Sequence, residues 1–283
     1  MHSLSKDERD NRDEKDCRLK MAREIMRLRV AVAALFYVVV AAAGGDEPKS
    51  TSGGNTPVTD APDVSDLPLI EVTAAEGTST DTFGIMISGD GGWWDLDRAV
   101  AETLAKHGVP MVGISSYRYF KKGCTPESTT ADMTRVLRHY MAKWNKQGII
   151  LAGYSLGAEI IPFVANRIPD DLKQRVRWIV SIGPSAQTIF ELHVTDLLKL
   201  PSSAKSYAVE PEIDALKNMK FLCVGSDKDT ECICSKLKDP FVKSLILPGA
   251  HHFGGKYDAV GEAIVAVVLP QAEIVGAEPG NKP

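Results

Sequence analysis

Ser155 stands inside Gly153-Tyr154-Ser155-Leu156-Gly157, directly after the apolar run Ile149-Ile150-Leu151-Ala152. A G-x-S-x-G string between a buried strand and a helix exposes one hydroxyl on a strained turn above a sheet. Ile160, Ile161, Phe163, Val164 and Ile168 then recur at helical spacing, so the context of the string is present. A serine hydroxyl attacks a carbonyl carbon only when an imidazole takes its proton and a carboxylate holds that imidazole. Candidates for both follow in the order Ser, Asp, His. Asp227 and Asp229 come after the apolar segment 219–225, and His251 and His252 come after the short segment 243–247. Asp229 is preferred to Asp227 as the acid. His252 is preferred to His251 as the base, because it precedes Phe253, where the loop turns back toward the next helix. The other member of each pair then reads as a solvated loop charge or a structural neighbour.

Nucleophilic attack also needs donors for the oxyanion. The glycine-rich stretch Gly89-Asp90-Gly91-Gly92-Trp93-Trp94 follows a strand pattern at 83–88, and glycine lets a backbone N–H approach a substrate oxygen closely. The backbone amides of Asp90 and Leu156 are the candidate oxyanion donors. No Gly-Lys-Ser/Thr follows, which excludes a P-loop reading. Asp90, Asp95, Asp97, Glu159 and Glu191 lie on motifs near the candidate site. Any of them could bind a cationic substrate group or simply cap a helix, and Glu159 is the one assigned to substrate. Trp93 is assigned to substrate as well, facing lipid or cation, although a core role fits one of the two tryptophans equally well.

These residues need a scaffold, and the pattern supplies one. Strand signals at 67–72, 83–88, 110–115, 148–154, 177–182, 219–225 and 243–247 alternate with helical signals at about 96–107, 127–145, after Ser155, and 257–268. That alternation predicts an α/β fold: a mostly parallel sheet with helices on both faces. The stretch 183–211 is the one sizeable insertion, too short for a large lid domain and the best place for substrate contacts. At 283 residues, 44% hydrophobic and 25% charged, the chain suits one soluble domain with extras. Its net charge of −4 argues against nucleic acid as a partner. Cys232-x-Cys234 is too closely spaced for a zinc site and has no His pair nearby, so no metal or cofactor is implied.

The first 43 residues read as a secretory signal: Arg23, Arg27 and Arg29, then 14 apolar residues at 30–43, then Gly44-Gly45. The charged stretch 1–20 is longer than a signal requires, so translation is expected to start at Met21 or Met26. The run is short for a membrane span. Residues 44–66 read as a flexible linker, 67–270 as the folded domain and 271–283 as a frayed tail. Removing 1–43 takes away nine Lys/Arg and seven Asp/Glu, leaving 24 against 30, a net −6. It leaves Cys124, Cys223, Cys232 and Cys234. In an oxidising compartment, Cys223 paired with Cys232 or Cys234 would staple the loop that carries the candidate acid; free buried thiols are the alternative.

Several strings together resemble the bacterial virulence protein family VirJ/AcvB. They are Ser88-Gly-Asp-Gly-Gly-Trp93 with Asp95-Leu96-Asp97, Tyr117-Arg118-Tyr119-Phe120, Thr125-Pro126-Glu127, Gly153-Tyr-Ser-Leu-Gly-Ala158 with Pro162-Phe163, Phe190-Glu-Leu-His-Val194, Asp229-Thr230-x-Cys232 and Pro248-Gly-Ala-His-His-Phe-Gly255. The resemblance covers about residues 82–268. Leu156 and Glu159 depart from the family's usual Phe and Asp. The resemblance implies an α/β-hydrolase fold, a periplasmic location, and Ser155, Asp229 and His252 as the triad. It also implies hydrolysis of the aminoacyl ester of phosphatidylglycerol, chiefly lysyl-phosphatidylglycerol, at the membrane surface. Some members bear on virulence and type IV secretion, which makes secretion components expected partners. A non-catalytic secretion factor on the same fold and a general carboxylesterase are the competing readings.

Overall fold

The computed structural model describes residues 61–192 and 204–269. The expected signal segment and the expected C-terminal tail lie outside the described residues, as do residues 193–203. Of the expected linker 44–66, residues 44–60 also lie outside the described residues, whereas residues 61–66 are docked on the domain. Val64 and Leu67 are buried in the core, His139 Nδ1 lies 2.9 Å from the Pro62 carbonyl, and Arg135 bridges Asp66 and Asp132. A composition rich in Pro and Asp marked this stretch as linker, but two apolar side chains and an arginine clamp suffice to dock it.

Seven strands form the main sheet: β1 (Leu69–Val72), β2 (Thr82–Ile87), β3 (Met111–Ile114), β4 (Gly148–Tyr154), β5 (Val176–Ile182), β8 (Phe221–Ser226) and β9 (Val242–Leu247). Their order is β1-β3-β2-β4-β5-β8-β9. Only the edge strand β1 runs antiparallel, pairing with β3; every other pair is parallel. β4 lies at the centre, and its alternate side chains go to opposite faces. Ile149 and Leu151 join one apolar core, Ile150 and Ala152 the other. A strand buried on both sides reads as a continuous apolar run, which is why Ile149 to Ala152 carries no polar residue.

Helices cover both faces. α1 (Asp95–Lys106) and α7 (Tyr257–Val268) pack on one side through Leu96, Val100, Leu104, Val260, Ile264 and Val268. They approach so closely that a Cβ on Gly261 would lie 2.7 Å from Thr103. α3 (Pro126–Trp144) and α4 (Leu156–Arg167) cover the other face through Met133, Leu137, Ile160, Ile161 and Val164. α3 starts on a reciprocal cap: the Ser128 amide donates to Thr125 Oγ1 and the Thr125 amide to Ser128 Oγ, with Pro126 in the first turn. Asn145 in the left-handed region ends it.

Four short helical or strand segments carry no periodic signal long enough to be read in advance. They are α2 (Ser116–Phe120), α5 (Asp170–Lys173), α6 (Glu210–Asp214) and a two-stranded hairpin of β6 (Gln187–Ile189) and β7 (Ser206–Ala208). The hairpin lies in the expected insertion, and α6 begins at its end. From β2 the chain goes outward to β3 and then returns to β4 on the other side. The loops after β2 and β4 therefore leave the carboxyl ends of adjacent strands in opposite directions. This switch point is where open α/β sheets form their clefts, and it brings the glycine loop beside Ser155.

Candidate active site

Ser155 lies between β4 and α4 with φ 50° and ψ −118°, a conformation costly for a residue with a side chain. Its neighbours hold it there. A Cβ on Gly153 would sit 2.3 Å from the backbone of Gly157, and one on Gly157 would sit 2.0 Å from the Ile87 carbonyl. The Ser155 amide donates to the Ile182 carbonyl of β5 at 2.8 Å. The glycines thus let α4 start against the sheet, and the serine takes the strain.

The imidazole within reach of that hydroxyl is His251, and the preference for His252 is corrected. His251 Nε2 lies 3.0 Å from Ser155 Oγ, and its Nδ1 lies 2.6 Å from Asp229 Oδ2. With the Nδ1 proton donated to Asp229, Nε2 is left to accept from the serine. His252 points elsewhere: its Nδ1 is 2.9 Å from the Tyr154 hydroxyl. The cause is a tight turn. The Phe253 amide donates to the Ala250 carbonyl at 2.8 Å, and Phe253 is buried in the core at a φ of 51°. The two central residues of that turn diverge, with their rings 79° apart, and the earlier one faces Ser155. Gly183, at φ 63°, leaves room for it; a Cβ there would come 3.1 Å from His251 Cε1.

Asp229 is the acid beside the imidazole. Its side chain is only 7% exposed, and its Oδ1 accepts from the amides of Glu231 and Cys232 at 3.2 Å each. Burial pushes its carboxyl up, but the hydrogen bond and charge of His251 and those amides outweigh burial and hold it below the usual range. Burial likewise disfavours a charged His251, yet Asp229, with Asp90 and Glu159 farther off, raises its pKa above the ordinary imidazole value. Asp227 is structural. Its Oδ1 accepts from the Gly249 amide at 2.8 Å, which ties the acid loop to the histidine loop. Cys223 and Cys234 form a disulfide across the foot of the acid loop, while Cys232 and Cys124 are free.

The glycine loop meets the serine as expected. A Cβ on Gly89 would lie 3.5 Å from Ser155 Cβ, so the Asp90 amide is on the loop that abuts the nucleophile. The Leu156 amide is the first of α4, ahead of any helical acceptor, and so remains available to a ligand. Asp97 holds this loop from below. It is buried, its Oδ2 accepts from the Trp94 amide at 3.2 Å, and burial pushes its carboxyl up to about 7. Asp97 is therefore a cap for α1. Asp95 is exposed and pairs with Arg98, and Glu191 lies against Gly123. Trp93 is also corrected: its ring packs over Gly113 of β3, where a Cβ would come within 2.4 Å. It is half-buried, packs against the core and is not among the residues that line the cavity. Trp94 is 39% exposed, with Nε1 donating to the Gly91 carbonyl at 2.6 Å.

A cavity of about 290 Å³ opens beside Ser155. Asp90, Ser155, Leu156 and Glu159 line it together with Gln187, Thr188, Ile189, Leu192 and Ser206. The insertion thus supplies part of its wall, but no motif in the sequence singled out Ser185, Gln187, Thr188 or Ser206. Their signal is spatial. Among the described residues no group of three His, Cys, Asp or Glu side chains is placed to hold a metal ion.

Comparison with known proteins gives a family and a fold. The family described as bacterial virulence protein (VirJ) matches residues 81–271. No curated protein sequence matches the chain. Among solved structures, Est1E from Butyrivibrio proteoclasticus with ferulic acid bound is similar at 18% identity and a TM-score of 0.52, covering 73% of this chain and 95% of its own. A second Est1E structure is 16% identical, with the same TM-score and 75% and 97% coverage. An α/β serine hydrolase homologue from Coxiella burnetii is 17% identical, with a TM-score of 0.48 and coverage of 70% and 89%.

Proposed function

The chain belongs to the bacterial virulence protein (VirJ) family and has an α/β-hydrolase fold, and from that premise we propose that it is a periplasmic serine hydrolase cleaving the aminoacyl ester of a phospholipid. Lysyl-phosphatidylglycerol is the substrate that the family resemblance implies. The observation that carries the reading is the hydrogen-bonded series Ser155–His251–Asp229 beside an open cavity. Ser155 Oγ attacks the ester carbonyl while its proton passes to His251 Nε2. The carbonyl oxygen becomes an oxyanion against the amides of Leu156 and Asp90. Collapse breaks the bond to the glycerol oxygen, which takes the proton from His251 and leaves as phosphatidylglycerol. Water then gives its proton to His251, attacks the acyl-serine and releases the amino acid and the serine hydroxyl.

The disulfide and the signal-like N-terminus support an oxidising, extracytoplasmic location. Membrane-surface lipid is the proposed partner, with type IV secretion components as further partners in virulence. The decisive experiment adds lysyl-phosphatidylglycerol in mixed micelles to the purified protein and measures released lysine. Wild type should release it and Ser155→Ala should not. Turnover of simple acyl esters alone would mark a general carboxylesterase. No turnover and no Ser155-dependent labelling by a fluorophosphonate would mark a binding factor.

A further inference from the structure

Glu159 is one helical turn past Ser155. Its amide donates to the Ser155 carbonyl at 3.1 Å, and both side chains line the cavity. Only 8% of it is exposed. Its Oε1 accepts from the Ser185 hydroxyl at 2.5 Å and the Ser185 amide at 3.1 Å, and among the described residues no lysine or arginine pairs with it. A carboxylate buried in a cleft without a cation is costly to the fold and marks a place for a ligand. A second atom points the same way. Thr188 Oγ1, beside the Glu159 carboxyl, is buried and, among the described residues, makes no hydrogen bond of ordinary geometry. A carboxylate next to an unused hydroxyl on a cavity wall suits a group with positive charge and several donors, which describes a primary ammonium.

Position decides which ammonium. Leu156, the oxyanion donor, and Glu159 share the first turn of α4. A carbonyl carbon at Ser155 Oγ, with its oxygen at the Leu156 amide, therefore lies next to the turn that carries Glu159. The other described wall residues, Gln187, Ile189, Leu192 and Ser206, carry no charge, and the Asp90 carboxylate accepts from the Gly91 amide. We propose that Glu159 and Thr188 form a subsite for the α-ammonium group of an aminoacyl ester, so that the site reads the free α-amine and not the amino-acid side chain. This rests on the reading of Ser155 as the nucleophile of a hydrolase.

The test uses alanyl, lysyl and N-acetylalanyl esters of one alcohol. Wild type should hydrolyse the alanyl and lysyl esters with kcat/KM values within a few-fold of each other. The N-acetyl ester should be poorer by roughly ten- to a hundredfold, the worth of one or two charge-assisted hydrogen bonds. Glu159→Gln should pull that ratio toward one, chiefly through KM of the free-amine esters. Thr188→Val, which keeps the shape of the side chain, should do so more weakly and covers the case in which Glu159→Gln fails to fold. The subsite is overturned if wild type treats the N-acetyl ester like the free amine. It is also overturned if either folded variant keeps the wild-type ratio, or if the lysyl ester outruns the alanyl ester by more than about tenfold. Loss of all Ser155-dependent hydrolysis would instead overturn the hydrolase reading itself.

Discussion

Two adjacent histidines with different partners make the residue-scale test. His251 reaches Ser155 and Asp229, while His252 reaches Tyr154. His251→Ala should lower kcat by about 10⁴-fold or more, as expected when a serine loses its base. His252→Ala should cost only a small factor, and steady-state kinetics on one ester compares them directly. Protonation gives a second test. The base must be neutral, so kcat/KM should fall as pH drops through the raised pKa of His251, a limb lying above the ordinary imidazole value near 6.5. Asp229→Asn should move that limb down as well as lower the rate. The linked stabilities run in opposite senses. The contribution of His251 is full below its ordinary value and is lost as pH rises through the raised one. That of Asp229 is full above the ordinary carboxylate range and is lost as pH falls through its lowered value.

Among the elements, the acid loop between β8 and β9 depends on a covalent staple. The Cys223–Cys234 disulfide closes a loop with a sequence separation of 11, and Asp229 lies inside it. A loop of that length is worth about 3 kcal/mol in constraining the unfolded chain. Cys234→Ser should therefore lower unfolding free energy by about that amount in urea titration, and dithiothreitol should do the same to the wild type. Activity should fall beyond the loss of folded protein, since the Cys232 amide that braces Asp229 sits between the two half-cystines. The elbow between β4 and α4 has a different support. Backbone crowding around Gly153 and Gly157 holds Ser155 in its positive-φ conformation, so its geometry does not depend on any side-chain cap.

At the scale of the molecule, the candidate site occupies the sheet's switch point, and its side chains come from loops between residues 89 and 253. No helix among the described residues is long and apolar enough to cross a membrane. On the proposed reading, a chain beginning at Gly44 should release lysine from lysyl-phosphatidylglycerol in mixed micelles. Loss of that activity on removing residues 1–43 would make the N-terminal segment an anchor, contrary to the cleaved-signal reading. The net charge of −6 expected after cleavage gives no bulk attraction to anionic lipid, so raising the ionic strength should not lower the rate on anionic micelles.

The sequence by itself determined the parallel sheet, the nucleophile turn, the glycine loop and the preference for Asp229. Each of these is written in local pattern: apolar runs buried on both faces, glycines where Cβ atoms would collide, and an acid next to the end of a strand. It could not choose between His251 and His252, because one residue of turn geometry at Phe253 rotates the two rings to different sides. Its assignment of Glu159 rather than Asp97 to substrate had no geometric ground, since both are acids near a helix start, and only packing makes one a cavity wall and the other a buried cap. Trp93 reads as a candidate contact until Gly113, distant in sequence, is seen to leave room for its ring. Thr188 carries no signal in the chain at all. Its proposed role arises only because the β6–β7 hairpin brings its hydroxyl, without a well-formed hydrogen bond among the described residues, beside one buried carboxylate.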